Sequence, residues 1–437
     1  MRQKIKICIV LLAAILLLDG CALRTLDQLY CPPKRSEDRD NLQSVIDKAM
    51  NNLTYCAPIS GQNLQAVQNA DLDGDGVDEY LLFAKDDSEN PLKILIFRQV
   101  ASGYVLMDTI EGYGFAFDSV EYAQLDDRDG MEIIVSRRVS DGVSRSVAVY
   151  RFTSDFARQL LLTAYSGMAV CDFDQNGIHE MIILGAGASE FSKGLAHCYS
   201  YGENEMERVD TIYLSQPISS LQQVEIGQLE DGTPAVFATS SVNDSTMTVD
   251  VLIVSDNSIV NLSNGFSIPA VNNYQLYPTD IDEDGTIELP SPVEIPTPSE
   301  QDEEYIMQWH AIDRDGNIQI KARTYHHYSN GWYLCLDDLW ELSLAVERME
   351  DGCAFYRLDP ETGEPVKLFT IYTFTGSDRE QLAAEAGRLL LYRSENLIYA
   401  ADLEKAFALL EFTKEDLLEF FIPIRQEWTN DESGETK

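Results

Sequence analysis

Three short segments set oxygen-bearing side chains at alternating positions. They are Asp71-Leu-Asp73-Gly-Asp75-Gly-Val77-Asp-Glu79, Asp172-Phe-Asp174-Gln-Asn176-Gly-Ile178-His-Glu180 and Asp280-Ile-Asp282-Glu-Asp284-Gly-Thr286-Ile-Glu288. Each has a carboxylate or amide at positions one, three and five, glycine at six and glutamate at nine. Oxygen ligands at this spacing suit calcium, a hard cation that takes roughly six to eight oxygens. The expected ligands are Asp71, Asp73, Asp75 and Glu79; Asp172, Asp174, Asn176 and Glu180; and Asp280, Asp282, Asp284 and Glu288. The carbonyls of Val77, Ile178 and Thr286 at position seven are expected to complete each set. Glycine at six permits the positive-φ bend that folds such a loop onto an ion. Three or four acids crowded this closely would repel one another without a cation.

The loops belong to a longer unit, because two altered copies fall between them. Gln124-Leu-Asp126-Asp-Arg128-Asp-Gly-Met-Glu132 replaces ligands with Gln124 and Arg128, and Gln228-Leu-Glu230-Asp-Gly-Thr-Pro has lost most of them. Arg128 is a candidate to replace the ion with its own charge. The copies start 53, 48, 56 and 52 residues apart, and most run into an apolar stretch. A period near fifty accommodates four short strands, read in the first unit as 64–70, 80–84, 93–98 and 104–110. Four-stranded units repeated at such a period are propeller blades, which bury their faces against neighbours. The expected fold is therefore an all-β propeller over 62–333, with five four-stranded blades, or six if the stretch after Trp332 closes the ring. An EF-hand is excluded, because its position-twelve glutamate is replaced by Leu82, Ile183 and Ser291 and strands flank the loops. From Gln62 to about Glu288 the pattern resembles FG-GAP/VCBS repeats, the type found in integrin α-subunit propellers. That resemblance implies a calcium loop joining the first two strands of a blade.

Two regions flank the propeller. Residues 1–20 carry Arg2, Lys4 and Lys6, then an apolar run from Ile7 to Leu18, and read as a secretory signal too short to span a bilayer. The sequence Leu18-Asp19-Gly20-Cys21 resembles a bacterial lipobox, with Asp19 where a small residue is usual. The resemblance implies lipidation of Cys21 and a place outside the cytoplasm, anchored to the cell membrane. Residues 21–61 read as a tether and a short helix over about 41–53, on which Leu42, Val45, Ile46, Met50 and Leu53 recur at helical spacing. The stretch from Pro290 to Glu304 reads as a protruding loop. Residues 334–429 read as a small α+β domain, with helices near 378–389, 403–410 and 414–421 and capping signals at Ser377 and Thr413; 430–437 form a polar tail. Disulfides are permitted in an exported chain, and Cys31 with Cys56 or Cys335 with Cys353 could form them.

Charge limits the partners. The 437 residues include 32 Lys+Arg against 73 Asp+Glu, a net charge of −41, which argues against binding nucleic acid through a basic surface. No nucleophile elbow, P-loop or zinc motif occurs, and His326-His327 lie on consecutive strand positions facing opposite ways. The aromatic residues Trp309, Tyr325, Tyr328, Trp332 and Tyr333 could serve sugar stacking or inter-blade packing. The sequence thus points to a binding or scaffold protein for an envelope or extracellular protein or glycan, with a polysaccharide hydrolase or lyase as the alternative.

Overall fold

In the computed structural model the described residues are 37–424, except 140–143, 154, 190, 264, 272–273, 299–302, 337–338, 340–342 and 350. The fold is nearly all β and propeller-like: six antiparallel sheets of four or five strands follow one another along the chain. In the first sheet, Val67–Ala70, Glu79–Lys85, Leu92–Val100 and Gly103–Gly112 pair in sequence, with Thr54–Tyr55 beside Glu79–Lys85. The second holds Ala116–Ala123, Glu132–Arg138, Arg145–Phe152 and Ala157–Tyr165. The third holds Gly167–Cys171, Glu180–Gly185, Leu195–Tyr201 and Met206–Tyr213. Leu221–Gln228, Pro234–Asn243 and Thr246–Ser255 lead the fourth. The fifth runs Leu289–Ile295, Glu304–Ile312, Ile318–His327 and Trp332–Cys335, with Phe421–Pro423 added at its edge. Leu344–Arg348, Gly352–Leu358, Pro365–Thr375, Leu397–Leu403 and Leu389–Arg393 make the sixth.

The sheets stack face to face because their inner strands are apolar on both faces, as burial on two sides requires. Along Glu79–Lys85, Leu81 and Phe83 enter a core shared with the second sheet, while Leu82 and Ala84 enter a core on the opposite face. Separate hydrophobic cores join the first sheet to the second, the second to the third, the third to the fourth, the fourth to the fifth and the fifth to the sixth. The two end faces are covered by helices. Leu42 and Ile46 of the helix Glu37–Ala49 pack on Leu82, Leu95 and Phe97 of the first sheet. Ala383 of the short helix Arg379–Ala384 packs on Phe374, Ile398 and Ala400 of the sixth. Among the described residues no core joins the first sheet to the sixth.

Several expectations change. Pro290 and Pro292 lie in a strand rather than a protruding loop, since Leu289–Ile295 is an edge strand whose outward side needs no N–H donor. Of the expected helices, 378–389 is cut to Arg379–Ala384 and the 3-10 turn Glu385–Gly387, and 403–410 retains only the 3-10 turn Phe407–Leu409, while Leu389–Arg393 and Leu397–Leu403 between them are strands. Thr413 and Asp416 do form a reciprocal capping box, whereas Ser377 does not cap the helix at Arg379, which starts from Asp378 without a side-chain cap. Cys335 and Cys353 are not bridged to each other, and the buried Cys353 thiol donates to the Tyr325 hydroxyl at 3.4 Å. Cys21, Cys31, the N-terminal apolar run and the polar tail lie outside the described residues.

Candidate metal centre

Each Asp-rich loop connects two hydrogen-bonded strands, or, in the fifth sheet, the bridged residues Thr279 and Glu288. Position two is apolar and buried in all five copies, as Leu72, Leu125, Phe173, Leu229 and Ile281. This residue pins the loop base into an inter-sheet core. The position-nine glutamate then turns back on the loop. Glu79, Glu132, Glu180 and Glu288 each accept a hydrogen bond from the backbone N–H of position two, at 3.0, 2.8, 3.0 and 3.1 Å.

The position-one aspartate organises the turn. Asp71, Asp172 and Asp280 accept from the position-six N–H of Gly76, Gly177 and Gly285 at 3.0, 2.8 and 2.9 Å. Those glycines have φ of 84°, 94° and 92°, as the bend demands. Position four is also left-handed, at Gly74, Gln175 and Glu283, a requirement that glycine in only one of the three copies conceals. Position five plays a local part. Asp75, Asn176 and Asp284 accept from the N–H groups of Val77, Ile178 and Thr286 at 2.8, 2.7 and 2.8 Å, closing a small side-chain turn.

The result is three acidic triads, Asp71 with Asp73 and Glu79, Asp172 with Asp174 and Glu180, and Asp280 with Asp282 and Glu288. In each, one oxygen from every residue lies within 4.8 Å of the others. Positions one, three and nine therefore converge as expected. Asp75 and Asp284 are not among the acids of these groups. Burial, and after it the neighbouring aspartates, raise the carboxyls of Glu180 and Glu288 to about 7 against the lowering effect of their backbone hydrogen bonds. Glu288 is fully buried, and its Oε1 has no hydrogen-bond partner. An orphaned, buried carboxylate oxygen facing two aspartates fits a cation, and the all-oxygen donor set fits a hard one.

Loops one and two carry an arginine that sequence reading did not place. Arg98 lies on the third strand of the first sheet and bonds Glu79 at 2.9 Å and also Asp73. Arg151 does the same in the second sheet, bonding Glu132 at 3.0 Å and also Asp126. Arg128, the expected substitute, is exposed, and its backbone N–H donates to Asp126. The worn fourth loop is a turn whose Glu230 receives Lys321 at 2.7 Å.

The other candidate groups resolve as packing. Trp309, Tyr325, Trp332 and Tyr333 are buried in the cores around the fifth sheet. His326 stacks on Tyr328 and Tyr333 on one face, while His327 stacks on Trp332 on the other.

No protein-family model matches this chain, and no curated protein matches it. Among solved structures it is similar to a protein from Lactobacillus plantarum at 12% identity, covering 67% of this chain and 87% of that one with a TM-score of 0.25. It is also similar to a rhamnogalacturonan lyase from Bacillus licheniformis at 12% identity, covering 80% and 72% with a TM-score of 0.27. A 6-phosphogluconolactonase-like protein from Bacteroides uniformis aligns at 12% identity over 82% and 97%, with a TM-score of 0.24. At these scores none of the alignments carries a functional argument.

Proposed function

We propose that the chain is a calcium-braced, propeller-like scaffold that binds a protein or glycan outside the cytoplasm, tethered to the membrane through a lipidated Cys21. The observation that carries the metal reading is the recurrence of one acidic triad in equivalent loops, with Glu288 Oε1 buried and unpartnered. Asp172, Asp174, Asn176 and Glu180 would hold one ion, and Asp280, Asp282, Asp284 and Glu288 another; Asp71, Asp73, Asp75 and Glu79 form the corresponding first-loop set. The ion would close each loop, neutralise its acids and fix the strand pair it joins. The lipobox-like Leu18-Asp19-Gly20-Cys21 supports the anchor, and the strongly acidic composition supports an uncharged or basic partner.

Thermal unfolding in chelator and in millimolar calcium tests the metal reading. Saturating one site at about a hundredfold excess over its dissociation constant adds about 2.7 kcal/mol. The melting temperature is expected to rise with calcium, and the rise to shrink in Asp174→Ala and again when Asp282→Ala is added. An unchanged melting temperature would remove calcium from the proposal. Pull-down from envelope extract, with and without calcium, tests the partner; turnover of glycans by the purified protein would replace the binding role with an enzymatic one.

A further inference from the structure

Strand pairing supplies a comparison between the loops that the loops themselves do not contain. In the first sheet Tyr80 pairs with Phe97, so the next position sets Glu79 beside Arg98. In the second, Ile133 pairs with Tyr150, which sets Glu132 beside Arg151. In the third, Met181 pairs with Tyr199, setting Glu180 beside Ser200; in the fifth, Leu289 pairs with His310, setting Glu288 beside Ala311. One structural position is thus arginine in two sheets and small and uncharged in two others.

Both arginines are seated, not draped over the surface. The Arg98 guanidinium lies 5.3 Å from the ring centre of Phe152 in the second sheet. That of Arg151 lies 4.3 Å from the ring of Tyr201 in the third and donates to its hydroxyl at 2.8 Å. Phe152 and Tyr201 each end the third strand of the next sheet, so the same device recurs at successive junctions. A guanidinium supplies a fixed fork of donors matched to carboxylate oxygens. It engages the position-three and position-nine acids, two of the three residues a cation would need in the first loop.

We infer that Arg98 closes the first Asp-rich loop to calcium, as Arg151 closes the second, so that only the loops 172–180 and 280–288 take an ion. The inference rests on the calcium reading above and narrows it from three sites to two. A complete Asp-x-Asp-x-Asp-Gly signature in the first loop is therefore occupied by the protein's own cation. In the third and fifth sheets Ser200 and Ala311 leave that position to an external one. Near the fifth loop, Lys321 lies 3.9 Å from Asp284, outside the triad, and acts on Asp282 only through its field, since its hydrogen bond is to Glu230.

Calcium titration of the full-length protein by calorimetry, after stripping with chelator, reads the number of ions per chain. The wild type is expected to bind two, Arg98→Ser to bind three, and Ser200→Arg to bind one. Three ions in the wild type, or no additional ion in folded Arg98→Ser, would overturn the inference while leaving calcium in place. If Arg98→Ser does not fold, the wild-type count and the loss of one ion in Ser200→Arg decide the matter. No ion bound by either the wild type or Arg98→Ser would overturn the calcium reading itself.

Discussion

Arg151 carries more of the second loop than any acid in it. Arg151, Asp126 and Glu132 are 7%, 2% and 4% exposed, so they are removed from solvent together. Truncating Arg151 to alanine leaves two buried carboxylates with only the exposed Arg128 acting on Glu132, and breaking such a buried pair costs about 3–5 kcal/mol. A urea midpoint lowered accordingly, with the slope unchanged, is the expected result for Arg151→Ala. Buried histidine gives a second residue-level outcome. His326 packs among Trp309, Tyr328 and Tyr333 and bonds Thr324 at 2.8 Å, and burial lowers its pKa from 6.5 to about 3. Above pH 6.5 the ring is neutral in both states, so its full contribution is present. Between 6.5 and 3 the unfolded chain binds a proton that the fold refuses. Stability is therefore lost as pH falls, by up to about 1.4 kcal/mol per pH unit for one proton. Chemical denaturation across that window should show a shallower loss in His326→Phe. The triad positions were legible at this scale because they lie within nine residues of one another. Arg98 and Arg151 were not, since each stands 19 residues from its glutamate and only strand register brings them together.

The loops also stitch neighbouring sheets. The position-eight N–H of Met131 donates to the Asp71 carbonyl at 3.2 Å, that of His179 to Gln124 at 2.8 Å, and that of Ile287 to Gln228 at 3.0 Å. Each bond runs from one loop to the first residue of the loop before it. Gly130 is tight for the same reason, since a Cβ there would meet the Leu72 carbonyl oxygen at 2.6 Å. An ion that stiffens a loop must stiffen the junction behind it as well. Hydrogen exchange should consequently slow at His179 and Ile287 on adding calcium and stay unchanged at Met131, whose loop is held by arginine. Equal slowing at all three would contradict that division. The repeat period and the four strands of the first unit were legible in the sequence, because alternation and turn residues are local signals. The strand at Pro290 and Pro292 was not, because proline is compatible with a strand only at an edge, and edge position is a property of the whole sheet. Similarly, the leucines of 389–403 suit a helix or a strand, and packing selects two paired strands, Leu397–Leu403 buried and Leu389–Arg393 a half-exposed edge.

A ring of blades hides its first and last faces against each other, whereas here each is covered by a helix. The first face is the more exposed to test. Leu82, Leu95 and Phe97 form an apolar surface whose cover includes Leu42 and Ile46, 7% and 3% exposed, on a helix that precedes all the repeats. Burying a leucine or isoleucine contributes about 1.5–3 kcal/mol, so the two anchors hold the helix by a few kcal/mol. Replacing both with aspartate puts charge into that contact and should release the helix, leaving a flat apolar sheet face open to solvent. Such a face favours pairing with another copy. Light scattering on Leu42→Asp/Ile46→Asp is expected to show self-association, with a lowered unfolding midpoint, while calcium stoichiometry stays at the wild-type value because the third and fifth loops lie on other sheets. If the first sheet instead closed onto the sixth, the helix would be dispensable, and the double variant would remain monomeric with unchanged stability. The helix is thus the element on which an open, capped array and a closed ring make opposite predictions.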